Sequence, residues 1–136
     1  MAILIDTQVL VELERSGRTL DQFLSHFAEE EPVAIAAITA SELLLGVYRA
    51  DSPARRTSRQ EFVEIAIERL DLLPFDLAAA RKHAALWSEL AASGQIIGAN
   101  DMLIAATALA NGYALLTENV REFSRVPGLE VRSLPW

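Results

Sequence analysis

The sequence predicts an α/β protein, a three-layer α/β/α sandwich with a central, mostly parallel sheet of four to five strands. Short apolar runs alternate along the chain with longer segments in which apolar residues recur at helical spacing. Such alternation favours parallel strands with helices packed on both faces of the sheet. The length of 136 residues and the hydrophobic content of 51% fit one domain, residues 1–136, with a generous core.

The predicted strands are the short apolar runs, in chain order Ala2–Ile5, Val33–Ala36, Leu72–Phe75, Tyr113–Leu116 and Leu129–Arg132. Between them, capping residues and glycine or proline breaks delimit helices. The predicted helices are Thr7–Arg15, a segment capped by Thr19 and stopped by Pro32, a segment from Thr39 to about Ala50, a long one opened by Ser52 and Pro53, one from Asp76 to Gly94, and Asp101–Ala110 capped by Asn100. Since ligands gather at the carboxyl ends of parallel strands, a site is expected near Asp6 and Thr117.

The composition excludes several classes of protein. Without cysteine the chain has no disulfides and no thiolate metal sites, which is compatible with the reducing cytoplasm where we expect it to act. The apolar runs are too short to cross a bilayer, and residues 1–5 lack the basic start of a signal peptide, so we expect no membrane association.

The formal net charge of −7 argues against nucleic-acid binding through a broad basic surface. Positive charge is nevertheless concentrated locally, in Arg49, Arg55, Arg56 and Arg59. This cluster is either a contact for RNA phosphate or an ordinary solvated helix face.

Three acidic residues stand at predicted helix starts, and each has a local structural explanation. Asp6 can cap the helix that begins at Thr7. Thr39 and Glu42 match a capping box, which is the favoured local explanation of Glu42. Asp101 would be stabilised in a first turn by the helix dipole. All three also have apolar neighbours in sequence, where a carboxylate usually needs a partner or a cation, and as a set they predict a site.

If these acids converge, their mutual repulsion raises one or more of their pKa values unless a cation neutralises them. Carboxylate oxygens without sulfur suit the hard ions Mg²⁺ and Mn²⁺, and such ions bind phosphate and activate water. The predicted reaction is therefore phosphodiester hydrolysis. Motifs for nucleotide phosphate loops, dinucleotide binding and zinc proteases do not occur in the sequence.

Four segments of the chain form a pattern together: Leu4–Leu10, Ile38–Leu43 with the nearby Gly46, Gly98–Ala106 and Leu116–Phe123, followed by Val126–Val131. In this order and at these spacings they resemble the PIN-domain ribonucleases, specifically the VapC-type toxins of type II toxin–antitoxin pairs. The resemblance extends over nearly the whole length and implies a PIN-like fold.

The resemblance implies that Asp6, Glu42 and Asp101 coordinate Mg²⁺ or Mn²⁺. Asp6 and Asp101 are the first choice for metal ligands, and Glu42 completes the cluster and positions or deprotonates the attacking water. The fourth polar position of the family, often Asp, falls on Asn119, so three charges and one tightly held ion are expected. Gln8 stands where the family usually has Asn.

The resemblance also implies partners. They are a cognate antitoxin that covers the active site, a structured RNA substrate such as tRNA or rRNA, and a second copy of the chain, giving a homodimer and a toxin–antitoxin hetero-oligomer. Leu86 and Trp87 are assigned to core or dimer packing. The alternatives are a catalytically silent PIN domain that binds protein or RNA, which Gln8 and Asn119 motivate, and a structure-specific DNA nuclease, which would need a more basic surface.

Overall fold

The structure is a computed structural model that describes residues 2–135, and a parallel sheet lies at its centre. Its five strands are β1 (Ile3–Ile5), β2 (Val33–Ala36), β3 (Asp71–Leu73), β4 (Ala114–Leu116) and β5 (Val131–Arg132). The order across the sheet is β3-β2-β1-β4-β5, and every neighbouring pair is parallel. The predicted fold class is therefore confirmed.

Helices connect the strands and cover both faces of the sheet. They are α1 (Thr7–Arg15), α2 (Leu20–Leu24), α3 (Ala37–Tyr48), α4 (Pro53–Arg69), α5 (Leu77–Ala92), α6 (Ala99–Asn111) and α7 (Val120–Phe123). Within residues 2–135, no helix is both long and apolar enough to span a bilayer.

The alternation of side chains along β1 divides the core into two apolar clusters. Ile3 and Ile5 belong to a cluster that also contains buried residues of α1, α2, α3 and α4. Leu4 belongs to the other cluster, with buried residues of α5, α6 and α7. All three residues of β1 are fully buried, as a central strand between two helical layers requires.

Several predicted boundaries are wrong, among them the start of the fifth strand, which lies at Val131 and not at Leu129. The third helix begins at Ala37 directly after β2, so Thr39 lies inside it, fully buried, and does not cap it. The sixth begins at Ala99 after Gly98, so Asn100 is not its cap. The third strand ends at Leu73 because Pro74 has no backbone N–H for the ladder. The second helix ends at Leu24, well before Pro32.

The strand order brings three carboxyl-terminal strand ends together. From β1 the chain crosses to β2 on one side of the sheet, and β4 lies on the other side of β1. The register pairs Ile5 with Leu116, and the Asp6 N–H donates to the Leu116 carbonyl at 2.9 Å. The residues that follow β1, β2 and β4 therefore meet at one edge, the topological switch point where α/β sheets bind ligands.

Candidate active site

Asp6 is buried at the end of β1, with 5% of its surface exposed. It occupies the N-cap position of α1, but its side chain makes no capping hydrogen bond. Instead, Oδ2 accepts a 2.7 Å hydrogen bond from Thr117 Oγ1, which follows β4. Burial raises the pKa of Asp6, hydrogen bonds from the Thr117 side chain and the Thr7 backbone oppose the rise, and Glu42 adds to it. The Asp6 carboxylate is therefore held by Thr117, which follows a neighbouring strand, as well as by the backbone of Thr7 at the start of its own helix.

Glu42 is half-buried in α3, and both of its carboxylate oxygens accept hydrogen bonds. Thr7 Oγ1 donates to Oε1 at 2.6 Å, and Asn100 Nδ2 donates to Oε2 at 3.1 Å. The Thr7 hydroxyl also lies 2.9 Å from that of Thr39, which is fully buried. The capping-box explanation of Glu42 is therefore wrong, because α3 begins at Ala37 and tertiary partners hold the carboxylate.

Asp101 lies in the first turn of α6, as predicted, and is half-buried. Burial raises its pKa from 3.8 to about 6, and repulsion from Asp6, Glu122 and Glu42 contributes in that order. Gly98 passes close by, since a Cβ built on it would lie 3.5 Å from Asp101 Oδ2. The backbone at Gly98 thus approaches this carboxylate closely.

The three predicted acids come together at the carboxyl edge of the sheet. Each of Asp6, Glu42 and Asp101 lies within electrostatic range of the others, and Glu42 is hydrogen-bonded to the sequence neighbours of both aspartates. Among residues 2–135, none of the three forms an ion pair with lysine, arginine or histidine. Within that part of the chain, their negative charge is therefore not balanced by a contacting cationic side chain.

Asn119, the fourth predicted position, is exposed between β4 and α7. Its backbone N–H donates to Thr117 Oγ1 at 2.9 Å, which links it to the hydroxyl that holds Asp6. Its side chain donates through Nδ2 to Glu122 Oε2 at 2.9 Å. Asn119 is therefore close to the acids through Thr117, but its amide is engaged with a residue that the sequence did not single out.

Glu122 brings a fourth carboxylate to this region, so the expected set of three charges is incomplete. It lies on α7, is partly exposed, and adds to the repulsion that raises the pKa of Asp101. The hydrogen bond from Asn119, then that from the Gly98 N–H, lowers the pKa of Glu122 itself. Its only signal in the sequence was its place three residues after Asn119, in the family-like segment Leu116–Phe123.

Three uncharged side chains of the site were also missed. Thr7 and Asn100 bind Glu42, and Thr39 supports Thr7 from a fully buried position. Thr7 directly follows Asp6 and Asn100 directly precedes Asp101, which was the available signal.

The arginine cluster is divided by the structure. Arg59 is turned inward, where Nη1 donates to the Gly46 carbonyl at 2.9 Å and Nε lies 3.6 Å from Glu14 Oε1. Arg55, in the exposed first turn of α4, pairs with Asp51, which precedes that helix. The cluster therefore does not act as one surface, and Arg49, Arg55 and Arg56 are its exposed members.

The pair assigned to packing is divided as well. Leu86 is buried in the core beneath α5, whereas Trp87 is 40% exposed. The Trp87 ring lies 5.7 Å from that of His83, which in turn lies 5.7 Å from Phe75. Core packing thus explains Leu86. That Trp87 packs in a dimer interface stays a prediction.

Thr117→Val should destabilise the protein by about 1–3 kcal/mol, because it removes the donor to a buried carboxylate and the acceptor for the Asn119 N–H. Thr117→Ser is the matched control, since it keeps the hydroxyl and deletes only a methyl group. Urea unfolding of the metal-free proteins measures the difference. Equal losses in the two variants would show that the hydroxyl contributes nothing.

The metal-free protein should lose stability as the pH rises. Because folding raises the pKa of Asp101 from 3.8 to about 6, the folded chain binds more protons than the unfolded chain between these values. The free energy of unfolding should therefore fall through this window, by an amount on the order of 1–3 kcal/mol, and the raised pKa of Asp6 acts in the same direction.

Asp101→Asn removes this titration, so the variant should be more stable than wild type at about pH 7.5 and change less with pH. Asp71→Asn, at an exposed acid that begins β3, is the control and should behave like wild type. Urea titrations at several pH values provide the comparison. A wild-type stability that increases over the same window would contradict the assignment.

Comparison with known proteins agrees with the geometry. A family model described as the PIN domain matches residues 3–129. The chain is 37% identical over 131 residues to Ribonuclease VapC1 of Rickettsia felis, covering 96% of this chain and 95% of the relative. It is 35% identical over 97 residues to the tRNA(fMet)-specific endonuclease VapC of Shigella flexneri, covering 71% of each.

Among solved structures, the fold is similar to the crystal structure of VapBC2 from Rickettsia felis bound to a DNA fragment from their promoter. The TM-score is 0.86 at 29% identity, and 98% of each chain is covered. Because the PIN-domain model matches residues 3–129 and the Ribonuclease VapC1 of Rickettsia felis is 37% identical, the chain belongs to the PIN-domain family, among the ribonucleases named VapC.

Proposed function

We propose that the chain is the toxin of a type II toxin–antitoxin pair and that it cuts RNA as a metal-dependent endoribonuclease. The observation that carries the proposal is the convergence of Asp6, Glu42 and Asp101 at the switch point of the sheet, where none of them pairs with a cationic side chain of residues 2–135. The similarity to ribonucleases named VapC supports the same activity.

Asp6 and Asp101 would hold Mg²⁺ or Mn²⁺, with Glu42 completing the set. The donors fit a hard cation, because they are carboxylate oxygens. Burial and neighbouring carboxylates raise the pKa values of both aspartates, and a bound cation would oppose that rise. Within residues 2–135, no three or more acidic or histidine side chains are placed so that they could hold a metal ion as they stand, so the carboxylates would have to turn toward a shared ion. When bound, such an ion would neutralise phosphate charge and make water more acidic.

Glu42 would orient the attacking water and accept its proton. Thr7 and Asn100 fix one carboxylate oxygen each, which sets the direction of the remaining lone pairs. One ion remains the expectation, because Asn119 brings no charge.

The silent-domain alternative is not favoured. Gln8 is exposed, and its amide donates to Glu12 on the same helix at 3.1 Å, so this departure from the family pattern leaves the acids untouched. Asn119 is hydrogen-bonded to Thr117 and Glu122, which keeps it part of the site.

A cognate antitoxin is the proposed protein partner, as the VapBC complex of Rickettsia felis suggests. A groove of about 200 Å³ between α1, α3 and α4 opens beside Glu42, and its apolar walls include Leu10, Leu43 and Phe62. A segment seated there would lie next to the acids. We also propose a homodimer, action in the cytoplasm, and a structured RNA substrate such as tRNA, the substrate named for the Shigella flexneri relative.

Cleavage of cellular RNA by the purified chain tests the proposal. Cleavage is expected with Mg²⁺ or Mn²⁺, loss of cleavage with EDTA, and inhibition by the product of an adjacent small gene. Cleavage that EDTA leaves unchanged would overturn the metal mechanism. Folded protein that cuts no cellular RNA under any of these conditions would favour a binding module.

A further inference from the structure

The junction of α3 and α4 carries an exposed patch of positive charge on an otherwise acidic chain. Four of the 12 lysines and arginines fall within residues 49–59, although the formal net charge is −7. Arg49 directly follows α3, and Arg55 and Arg56 lie at the start of α4. All three of these side chains are exposed. The two helices therefore present a local cationic surface to solvent.

The exposed arginines differ in how far their charge is engaged by the protein. Arg55 Nη1 lies 3.5 Å from Asp51 Oδ2 in a solvent-exposed pair. Arg56 Nη2 donates to a neutral acceptor, the Tyr48 carbonyl, at 3.4 Å. Within residues 2–135, neither Arg49 nor Arg56 forms an ion pair with a carboxylate. Their charge therefore stays available to an anion outside the chain.

The stability of the fold does not explain these positions. The first turn of a helix favours Asp and Glu, because the helix dipole places partial positive charge there. α4 has no acidic residue in its first turn, and Arg55 and Arg56 stand against the dipole. Tyr48, whose carbonyl Arg56 contacts, is 77% exposed and buries little of its ring. Residues that disfavour the fold locally and pack against little are expected where a surface has a function.

Arg49 lies on the same face of α3 as Glu42. It follows two helical turns later, so the two positions are roughly 10 Å apart along the helix axis. Arg49 continues the helical path, since its N–H donates to the Leu45 carbonyl at 3.0 Å. A stacked nucleic-acid strand advances about 3.4 Å per nucleotide. An RNA with one phosphate at the acids would therefore reach Arg49 after about three nucleotides.

We propose that Tyr48, Arg49 and Arg56 form a binding surface, the α3–α4 patch, for the RNA strand that leads away from the cleaved bond. The two guanidinium groups bind phosphate oxygens, and the Tyr48 ring stacks on a base. The inference rests on the proposed function, because its ligand is the RNA substrate. It deepens that function by assigning the residues through which an acidic protein holds RNA beside an acidic site.

Arg49→Gln and Arg56→Gln test the patch, with Arg81→Gln as the matched control. Arg81 is an exposed arginine of α5, on the other face of the sheet. We expect KM for cleavage of bulk tRNA with Mn²⁺ at low salt to rise about 3–10-fold in each patch variant. The value of kcat should change much less, because contacts to a flanking strand are equal in the ground and transition states. The control should match wild type.

The melting temperature of each variant shows whether the fold is affected. Arg56→Gln should melt at the wild-type temperature or above it, because the substitution removes a cation from the start of α4. A raised KM in a protein of unchanged stability is then an effect on binding. A KM that rises only as far as the melting temperature falls would overturn the proposal.

Salt dependence shows whether the arginines contact phosphate. Binding of bulk tRNA is measured in EDTA, so that the RNA is not cut. Each lost phosphate contact should lower the slope of log Kd against log salt by about 0.7, and the double variant Arg49→Gln with Arg56→Gln should lower it by about 1.4. Weaker binding with an unchanged slope would overturn the phosphate contacts.

Two substitutions of Tyr48 test the stacking contact. Tyr48→Phe keeps the ring and should bind bulk tRNA as wild type does. Tyr48→Ala removes the ring and should raise Kd by about 5-fold or more, since stacking of a base on an aromatic ring is a sizeable part of single-strand binding. Equal affinity of the two variants would exclude Tyr48 from the patch.

The outcomes separate this inference from the proposed function. If wild type cleaves RNA and the patch variants match Arg81→Gln in KM and in salt slope, the patch fails and the proposed function stands. If wild type binds bulk tRNA through the patch but cuts no RNA, the proposed function fails and the binding surface stands. If the patch variants keep the wild-type KM but resist inhibition by the product of the adjacent small gene, the surface binds a protein and the assignment to RNA is wrong.

Discussion

Asp6→Asn is expected to slow metal-dependent RNA cleavage by about 10²–10³-fold. The substitution replaces a buried, negatively charged metal ligand by a neutral amide of the same shape. The bound cation would then be neutralised by one carboxylate fewer. The fold should survive, because the amide oxygen can still accept from Thr117 and because a buried carboxylate with a raised pKa is itself costly. Single-turnover rates with saturating enzyme and Mn²⁺, beside melting curves, provide the measurement.

Asp71→Asn serves as the control, since Asp71 is an exposed acid at the start of β3 and changes the net charge equally. It should cleave RNA at the wild-type rate. Equal rates for Asp6→Asn and wild type would exclude Asp6 from the mechanism.

Phe123→Ala is expected to destabilise the protein by about 3–5 kcal/mol, the usual cost of deleting a buried aromatic ring. Phe123 is fully buried in the cluster beneath α5 and α6, and it anchors the short helix α7. Because α7 follows Asn119 and carries Glu122, the folded fraction of Phe123→Ala should also cleave RNA more slowly than wild type. Urea unfolding measures the stability loss, and Phe75→Ala, at a ring that is 40% exposed, is the matched control. A loss no larger than that of the control would contradict an anchoring role.

The fold was predictable because hydrophobic periodicity reports burial directly. A strand such as Ile3–Ile5, buried on both faces, has no polar residue, and the helices between strands show their own spacing. Helix starts were less predictable, because a capping residue can be used elsewhere. Thr39 has the sequence context of a cap, but its hydroxyl is fully buried beside that of Thr7. Local sequence does not reveal whether a threonine hydroxyl caps a helix or bonds a residue from another element.

The site was predictable in part for the same reason. Asp6, Glu42 and Asp101 each stood out as acids with apolar neighbours, and the family resemblance joined them. Their convergence depends on β1 lying between β2 and β4, which is a property of strand order and not of any one segment. Glu122 was not singled out from the sequence, and its contacts with Gly98 and Asn119 in the folded chain mark it as part of the site.

The central claim is that Asp6, Glu42 and Asp101 hold a cation for RNA cleavage. Titration of the protein with Mn²⁺ tests it directly, with binding measured by isothermal calorimetry and by the electron paramagnetic resonance signal of the free ion. Wild type should bind one tightly held ion, and Asp6→Asn and Asp101→Asn should each weaken binding by about 10–100-fold or more. Asp71→Asn should bind as wild type does. Equal affinity in all four proteins, or no binding by folded wild type, would contradict the claim.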